Sequence, residues 1–200
     1  MQIGAVLHYR LLKLQVVVLL ALGRRPYALQ RLAHMLRLQP ADRYALASQA
    51  HVQAEQLQYE AAVASLQQLT SAWPQDAPAW FNLGYVLQQA GRHEDAEPAF
   101  RSALALAPLM DRAWYGLGLA LMQRQQYQEA AEALKKNTAL QPMSPYGWYR
   151  LAEVWLALDQ PEEAQKVWLH LRQFEPAVAG QLERQCRAVF NIPRALDGTH

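Results

Sequence analysis

Apolar residues along this chain recur every three to four positions in short blocks, and the blocks come in pairs. The clearest pair lies within residues 77–110. AWFNLGYVLQQ is followed by Ala90-Gly91-Arg92 and then by EDAEPAFRSALAL ahead of Pro108. Each block predicts an amphipathic helix, with a short turn between the two. Gly91 can take the left-handed conformation that stops the first helix. Pro108 forbids continuation of the second and resets the chain for another pair.

The pairing is periodic. Proline stands at Pro40, Pro74, Pro108, Pro142 and Pro176, each step 34 residues. Alanine keeps the same phase at Ala28, Ala62, Ala96, Ala130 and Ala164, and tryptophan joins it at Trp80, Trp114 and Trp148. An alanine central to each second helix lets two backbones approach where a larger side chain would hold them apart.

These residues resemble the tetratricopeptide repeat. Trp80, Leu83, Gly84, Leu87, Ala96, Phe100 and Pro108 fit its pattern, as do Trp114, Leu117, Gly118, Leu121, Ala130, Leu134 and Pro142. Trp148, Leu151, Ala152, Trp155, Ala164, Trp168 and Pro176 fit again. The copy over 43–76 is weaker, with Gln49 and Gln53 at apolar positions. The copy over 9–42 is degenerate, with Val16 at the small-residue position. The resemblance implies an all-α fold, a right-handed α-solenoid of about five helical hairpins with a C-terminal capping helix. The repeats are expected over about 9–42, 43–76, 77–110, 111–144 and 145–178 and the cap over 177–190, giving a single domain over 1–190. Residues 191–200, with Pro193 and Gly198, are expected to form a flexible tail.

The two ends differ from the middle. The first helix, expected over Val6–Leu22, is apolar on nearly every side, so its own chain, a partner subunit or lipid must cover it. Its run LQVVVLLAL is about half of what a membrane span needs. The run ends in Gly23-Arg24-Arg25, unlike a leader-cleavage site, and is read as a buried helix. Charge is also uneven. The whole chain carries +2, yet residues 1–43 hold seven basic groups against Asp42 alone, or +6, which leaves −4 for the remainder. A basic end on an acidic body suits an acidic protein or an anionic lipid surface. A single cysteine, Cys186, does not suggest an oxidising compartment, so the expected location is cytoplasmic, with membrane association as an option. The basic groups do not continue as a stripe, which argues against nucleic acid.

Catalytic constellations are not evident. The six histidines, at positions 8, 34, 51, 93, 170 and 200, are scattered along the chain without the i, i+4 spacing of a helical metal site. His93, in an inter-helix turn, is expected to be solvated. Gly116-Leu117-Gly118 has no phosphate-binding lysine after it, and Cys186 is alone. Glu94-Asp95 and Glu162-Glu163 begin second helices, where acids complement the helix dipole. No catalytic residue, cofactor, metal or small-molecule substrate is expected. Trp155 and Trp168 are read as packing where the two helices of one hairpin meet, and Trp73 as a surface aromatic. Asn137 stands where an apolar residue is expected. Either it bonds a backbone group of its surroundings or it marks a local loosening.

What remains is recognition. In such a solenoid the first helices line a concave groove. The resemblance places groove side chains at Tyr44 and His51, at Phe81, Tyr85, Gln88 and Gln89, at Arg112, Tyr115, Leu119 and Gln123, and at Tyr146, Tyr149 and Glu153. Tyrosine supplies contact area at low entropic cost, and such a surface suits a protein or peptide partner. The expected function is a non-catalytic scaffold, an adaptor or assembly factor. The alternative is an accessory subunit of a larger, membrane-bound enzyme. It would dock through the basic, apolar N-terminal helix, with a subunit or membrane surface as its second contact.

Overall fold

The computed structural model describes residues 2–186, with side-chain surroundings for residues 7–184. The end of the expected cap, the side chain of Cys186 and the expected tail lie outside the described residues. Eleven α-helices and no strand occur among the described residues, and the fold is an all-α solenoid of tetratricopeptide-like hairpins. It divides into two compact units between Pro108 and Leu109. The first unit holds α1 (Gln2–Ala21), α2 (Arg25–Leu38), α3 (Arg43–Glu55), α4 (Tyr59–Ala72), α5 (Ala77–Gln89) and α6 (His93–Leu106). The second holds α7 (Asp111–Gln123), α8 (Tyr127–Leu140), α9 (Pro145–Ala157), α10 (Pro161–Phe174) and α11 (Pro176–Cys186).

The sequence period becomes a structural one. First helices α3, α5, α7 and α9 are each 13 residues long. Second helices α2, α4, α6, α8 and α10 are each 14. Every second helix ends on a non-helical residue (Gln39, Trp73, Ala107, Gln141 or Glu175) immediately before the periodic proline. The proline ring excludes the helical conformation from the residue ahead of it. At the last of these junctions Pro176 is itself the first residue of α11, so the cap starts one residue earlier than expected.

The turn inside each hairpin is a Schellman motif, repeated five times. In the 77–110 copy, Arg92 N donates to Leu87 O at 2.9 Å and Gly91 N to Gln88 O at 3.0 Å. The residue with positive φ falls at Gly23, Leu57, Gly91, Gln125 and Asp159, again 34 apart. Only two of the five are glycine. A side chain in the left-handed region costs roughly 1–2 kcal/mol, of which glycine's entropy on folding gives back part. Leu57→Gly, Gln125→Gly and Asp159→Gly are therefore expected to stabilise the protein by about 0.5–1 kcal/mol each. Taken as independent changes the three sum to about 1.5–3 kcal/mol, and thermal unfolding of the triple variant, followed by circular dichroism, checks the sum. A triple variant that melts below the parent would refute this account of the turns.

Packing follows from the small residues. Ala28, Ala62, Ala96, Ala130 and Ala164 are all fully buried. A Cβ on Gly84 would lie 2.9 Å from the Phe100 ring, and one on Gly118 would lie 2.7 Å from Leu134 Cγ. Asp42 and Asp76 cap α3 and α5 by accepting from Ala45 N and Ala79 N. Each of these carboxylates also receives a donor from the first residue of the preceding repeat. Tyr9 Oη donates to Asp42 Oδ2 at 2.6 Å, and Arg43 Nε donates to Asp76. Burial, reinforced by the bond to Asp42, pushes the Tyr9 hydroxyl up to about 12. The Arg43 bond holds the Asp76 carboxyl below its ordinary value despite partial burial. One device thus ends a repeat and begins the next.

Two readings need correction. α1 is not a buried helix: Leu12 and Val16 are buried, whereas Leu11, Leu14, Val18 and Leu22 are exposed. The described part of the chain covers only one side of it. His93 is half-buried at the start of α6, with Nδ1 shielded from solvent, because the turn places it against the hairpin and not away from it.

Candidate functional site

The aromatic and amide positions on the first helices divide between the two units. In the first unit, α3 carries Tyr44 and His51. Tyr44 is half-buried against the cluster of Leu12, Val16, Leu32, Met35 and Ala45, and Lys13 Nζ lies 4.3 Å from its ring centroid. Most of its contact area is already used within its own unit. His51 is exposed, 3.5 Å from Glu55 one helical turn away.

On α5 the rings step outward from the core. Phe100 of α6 is fully buried. Phe81 packs on it with centroids 6.0 Å apart, and Tyr85, one turn further along, stacks on Phe81 at 6.4 Å. Tyr85 remains 49% exposed. Gln88 is half-buried and Gln89 exposed beyond it. Phe81 therefore supports the surface from below, while Tyr85 and the two amides present it.

In the second unit the candidate residues converge. Helices α7 and α9 lie side by side, with α11 against α9. Tyr115 of α7, Pro145, Tyr146, Tyr149 and Arg150 of α9, and Val178 and Gln181 of α11 line a cleft of about 220 Å³. Tyr146 is 71% exposed, while Tyr115 and Tyr149 are half-buried. Arg112 and Gln123 are exposed, and Leu119 is half-buried; none of the three lines the cleft. Glu153 is half-buried and turned to a different task, accepting from Arg150 Nη1 at 2.7 Å.

Arg150 was missed by the sequence reading. Nothing local in the sequence marks it as part of a cleft. The Cζ atom lies 5.8 Å from the Tyr149 ring centroid. Burial would lower the pKa of this guanidinium. Hydrogen bonding and attraction to Glu153, with a smaller share from Tyr115, outweigh that and hold it above the ordinary value. The cleft thus offers three tyrosine rings, their hydroxyls and one fixed cation whose charge is largely answered from within. That arrangement suits an apolar or aromatic side chain whose backbone can accept hydrogen bonds.

The tryptophans mostly serve the scaffold. Trp80 and Trp148 donate from Nε1 to the carbonyls of Pro74 and Pro142, at 2.9 and 2.8 Å, and so tie each first helix to the turn before it. Trp155 and Trp168 are buried as expected. Trp73 is exposed, yet its ring N–H is committed to Ala41 O at 2.8 Å.

A family model described as tetratricopeptide repeat matches residues 47–109 and 85–136. No curated protein sequence matches the chain. Among solved structures, the fold is similar to that of a MamA protein at a TM-score of 0.78 and 18% identity, covering 95% of this chain and 98% of the other. It is similar to YrrB, described as a tetratricopeptide-repeat protein with an unusual peptide-binding site, at 0.76 and 18% identity over 84% and 88%. PilF of Pseudomonas aeruginosa matches at 0.70 and 18% identity over 96% of both chains. At these identities the likeness carries the fold alone.

Proposed function

We propose that this chain, a tetratricopeptide-repeat protein by its family match over residues 47–109 and 85–136, is a non-catalytic scaffold, an adaptor or assembly factor that captures a partner polypeptide on its first helices. The fold supports protein–protein interaction in general. The observation that carries the finer reading is the tyrosine-lined cleft of α7, α9 and α11, accompanied on α5 by the outward-facing Tyr85. Rigid rings with two side-chain torsions lose little entropy when a partner packs on them. Their mixed surface fits an extended segment or one face of a helix.

The test uses the full chain as bait in a lysate of its own source, with captured proteins identified by mass spectrometry. Tyr85→Ala combined with Tyr115→Ala is expected to lower retention of the captured partner roughly tenfold or more, as truncation of central aromatic anchors does. The helical circular dichroism should not change. Retention equal to that of the parent would refute the groove reading.

A second reading, an accessory subunit docked through its N-terminal helix, is favoured by the exposed apolar row on α1. Such a complex should survive the tyrosine substitutions and depend on Leu11 and Leu14.

A further inference from the structure

The outer face of the first hairpin combines an apolar ridge with an excess of unanswered positive charge. On α1, Leu7, Leu11, Leu14 and Val18 follow one another by four, three and four residues, the spacing of a single continuous helical stripe. They are between 47% and 68% exposed. Leu22 extends the row at its end, and the buried Leu12 and Val16 lie on the opposite side of the helix. The neighbouring helix adds to this face. The rings of His8 and His34 meet at 5.7 Å, which brings one side of α2 beside α1. Tyr27 and Leu38, two turns before and one turn after His34 on that same side, are both about half exposed.

Charge selects the occupant. No acidic residue precedes Asp42, and Asp42 is committed to Tyr9 and to the cap of α3. Arg10, Arg24, Arg31 and Arg37 are all exposed. Among the described residues none of the four makes an ion pair with a carboxylate. Pairing this face with a second copy of itself would oppose two cationic, acid-free surfaces. It is also a ridge along one helix, not a groove, so a firm partner would need a matching trough, whereas a lipid headgroup layer deforms around it. No described helix is long and apolar enough to cross a membrane. A helix with one apolar side and basic flanks lies in the plane of the interface.

We propose that the α1–α2 face docks on an anionic lipid bilayer, with the leucine row of α1 sunk into the headgroup region and the arginines on lipid phosphates. The proposal rests on the reading that α1 makes a second contact, and it names that contact.

The experiment is flotation of the full chain with vesicles of phosphatidylcholine alone, or of three parts phosphatidylcholine to one part phosphatidylglycerol. The chain is expected to float with the anionic vesicles and to lose more than tenfold in partitioning on the neutral ones, since each cation near an anionic leaflet strengthens binding roughly fivefold. Arg10→Gln with Arg31→Gln should weaken anionic binding roughly twentyfold. Leu11→Asn with Leu14→Asn should abolish it while leaving circular dichroism unchanged, because both side chains already face outward. Equal binding to both vesicle types, or none to either, overturns the proposal. If vesicles fail but the leucine pair breaks self-association in sedimentation equilibrium, or breaks capture of an acidic protein, α1 is still a contact and lipid is the wrong occupant. If the leucine pair changes none of these, the reading of α1 as a contact falls too.

Discussion

Replacing Phe100 by Ala is expected to destabilise the first unit by about 3–5 kcal/mol. Phe100 is the largest of the fully buried side chains, and two neighbours are shaped around it. Phe81 packs on its ring at 6.0 Å, and Gly84 leaves no room for a methyl group beside it. Truncation would open a cavity between α5 and α6 that neither neighbour can refill. Phe81 is anchored in α5, and Gly84 has no side chain to move. The ring also underlies Tyr85 through Phe81, so loss of stability should come with loss of order in the candidate surface. A companion series isolates the geometry. Ala50 and Leu66 occupy the positions of Gly84 and Phe100 one repeat earlier, and both are buried. Gly84→Ala alone is expected to cost about 1–3 kcal/mol through overpacking. Combined with Phe100→Leu it should cost less than the two single changes together, because the pair then reproduces the earlier repeat. Denaturant unfolding of the four proteins gives the coupling. Strictly additive costs would show that the two residues do not share a volume.

The repeat was legible because its punctuation is chemical. Proline has one backbone option, alanine marks where helices touch, and tryptophan recurs in phase; each is visible without coordinates. The turn residues Leu57, Gln125 and Asp159 were not. The local preference of Leu57 and Gln125 opposes the left-handed conformation they adopt, and that of Asp159 only tolerates it; what imposes it is the packing of two helices of set length on either side. The same reason hid Arg150. A cleft made from α7, α9 and α11 depends on how three helices lie together, and spacing along any one of them does not carry that information. Of the candidate surface, Tyr115, Tyr146 and Tyr149 proved neighbours, whereas Tyr44 is engaged at the edge of a core. Position in a repeat indicates which way a side chain leaves its helix but not how much of it neighbours consume. The first helix shows the limit from the other direction. Its composition marked an unusual end, and only the burial pattern separated one covered side from one open side.

Gly147→Ala is expected to destabilise the second unit by about 2–3 kcal/mol, although it adds only a methyl group. Asn137 of α8 is buried, and its Nδ2 donates to the backbone carbonyl of Asp111 at 3.0 Å. Of the two readings open for Asn137 in the sequence, the backbone bond is therefore the one realised. The other end of the amide points at α9, where a Cβ on Gly147 would lie only 2.1 Å from Asn137 Oδ1. An alanine must either drive α9 away from α8 or expel the amide from its site. Expulsion leaves the Asp111 carbonyl without its donor, at about 1–3 kcal/mol for a buried group, and separation of the helices costs a similar amount in packing. Gly147 lies in the first turn of α9, so alanine's better helix propensity recovers little there. Asn137→Ala alone should cost about 1–2 kcal/mol for the lost bond. In the double variant the added methyl should cost little beyond Asn137→Ala, since the overlap with the amide is gone and only a tight contact with Thr138 Cγ2 at 3.2 Å remains. That non-additivity, read from the denaturation midpoints of the four proteins, is the signature of an asparagine held between a carbonyl and a glycine. If Gly147→Ala costs the same with and without Asn137, the two helices are not fitted to each other at this point.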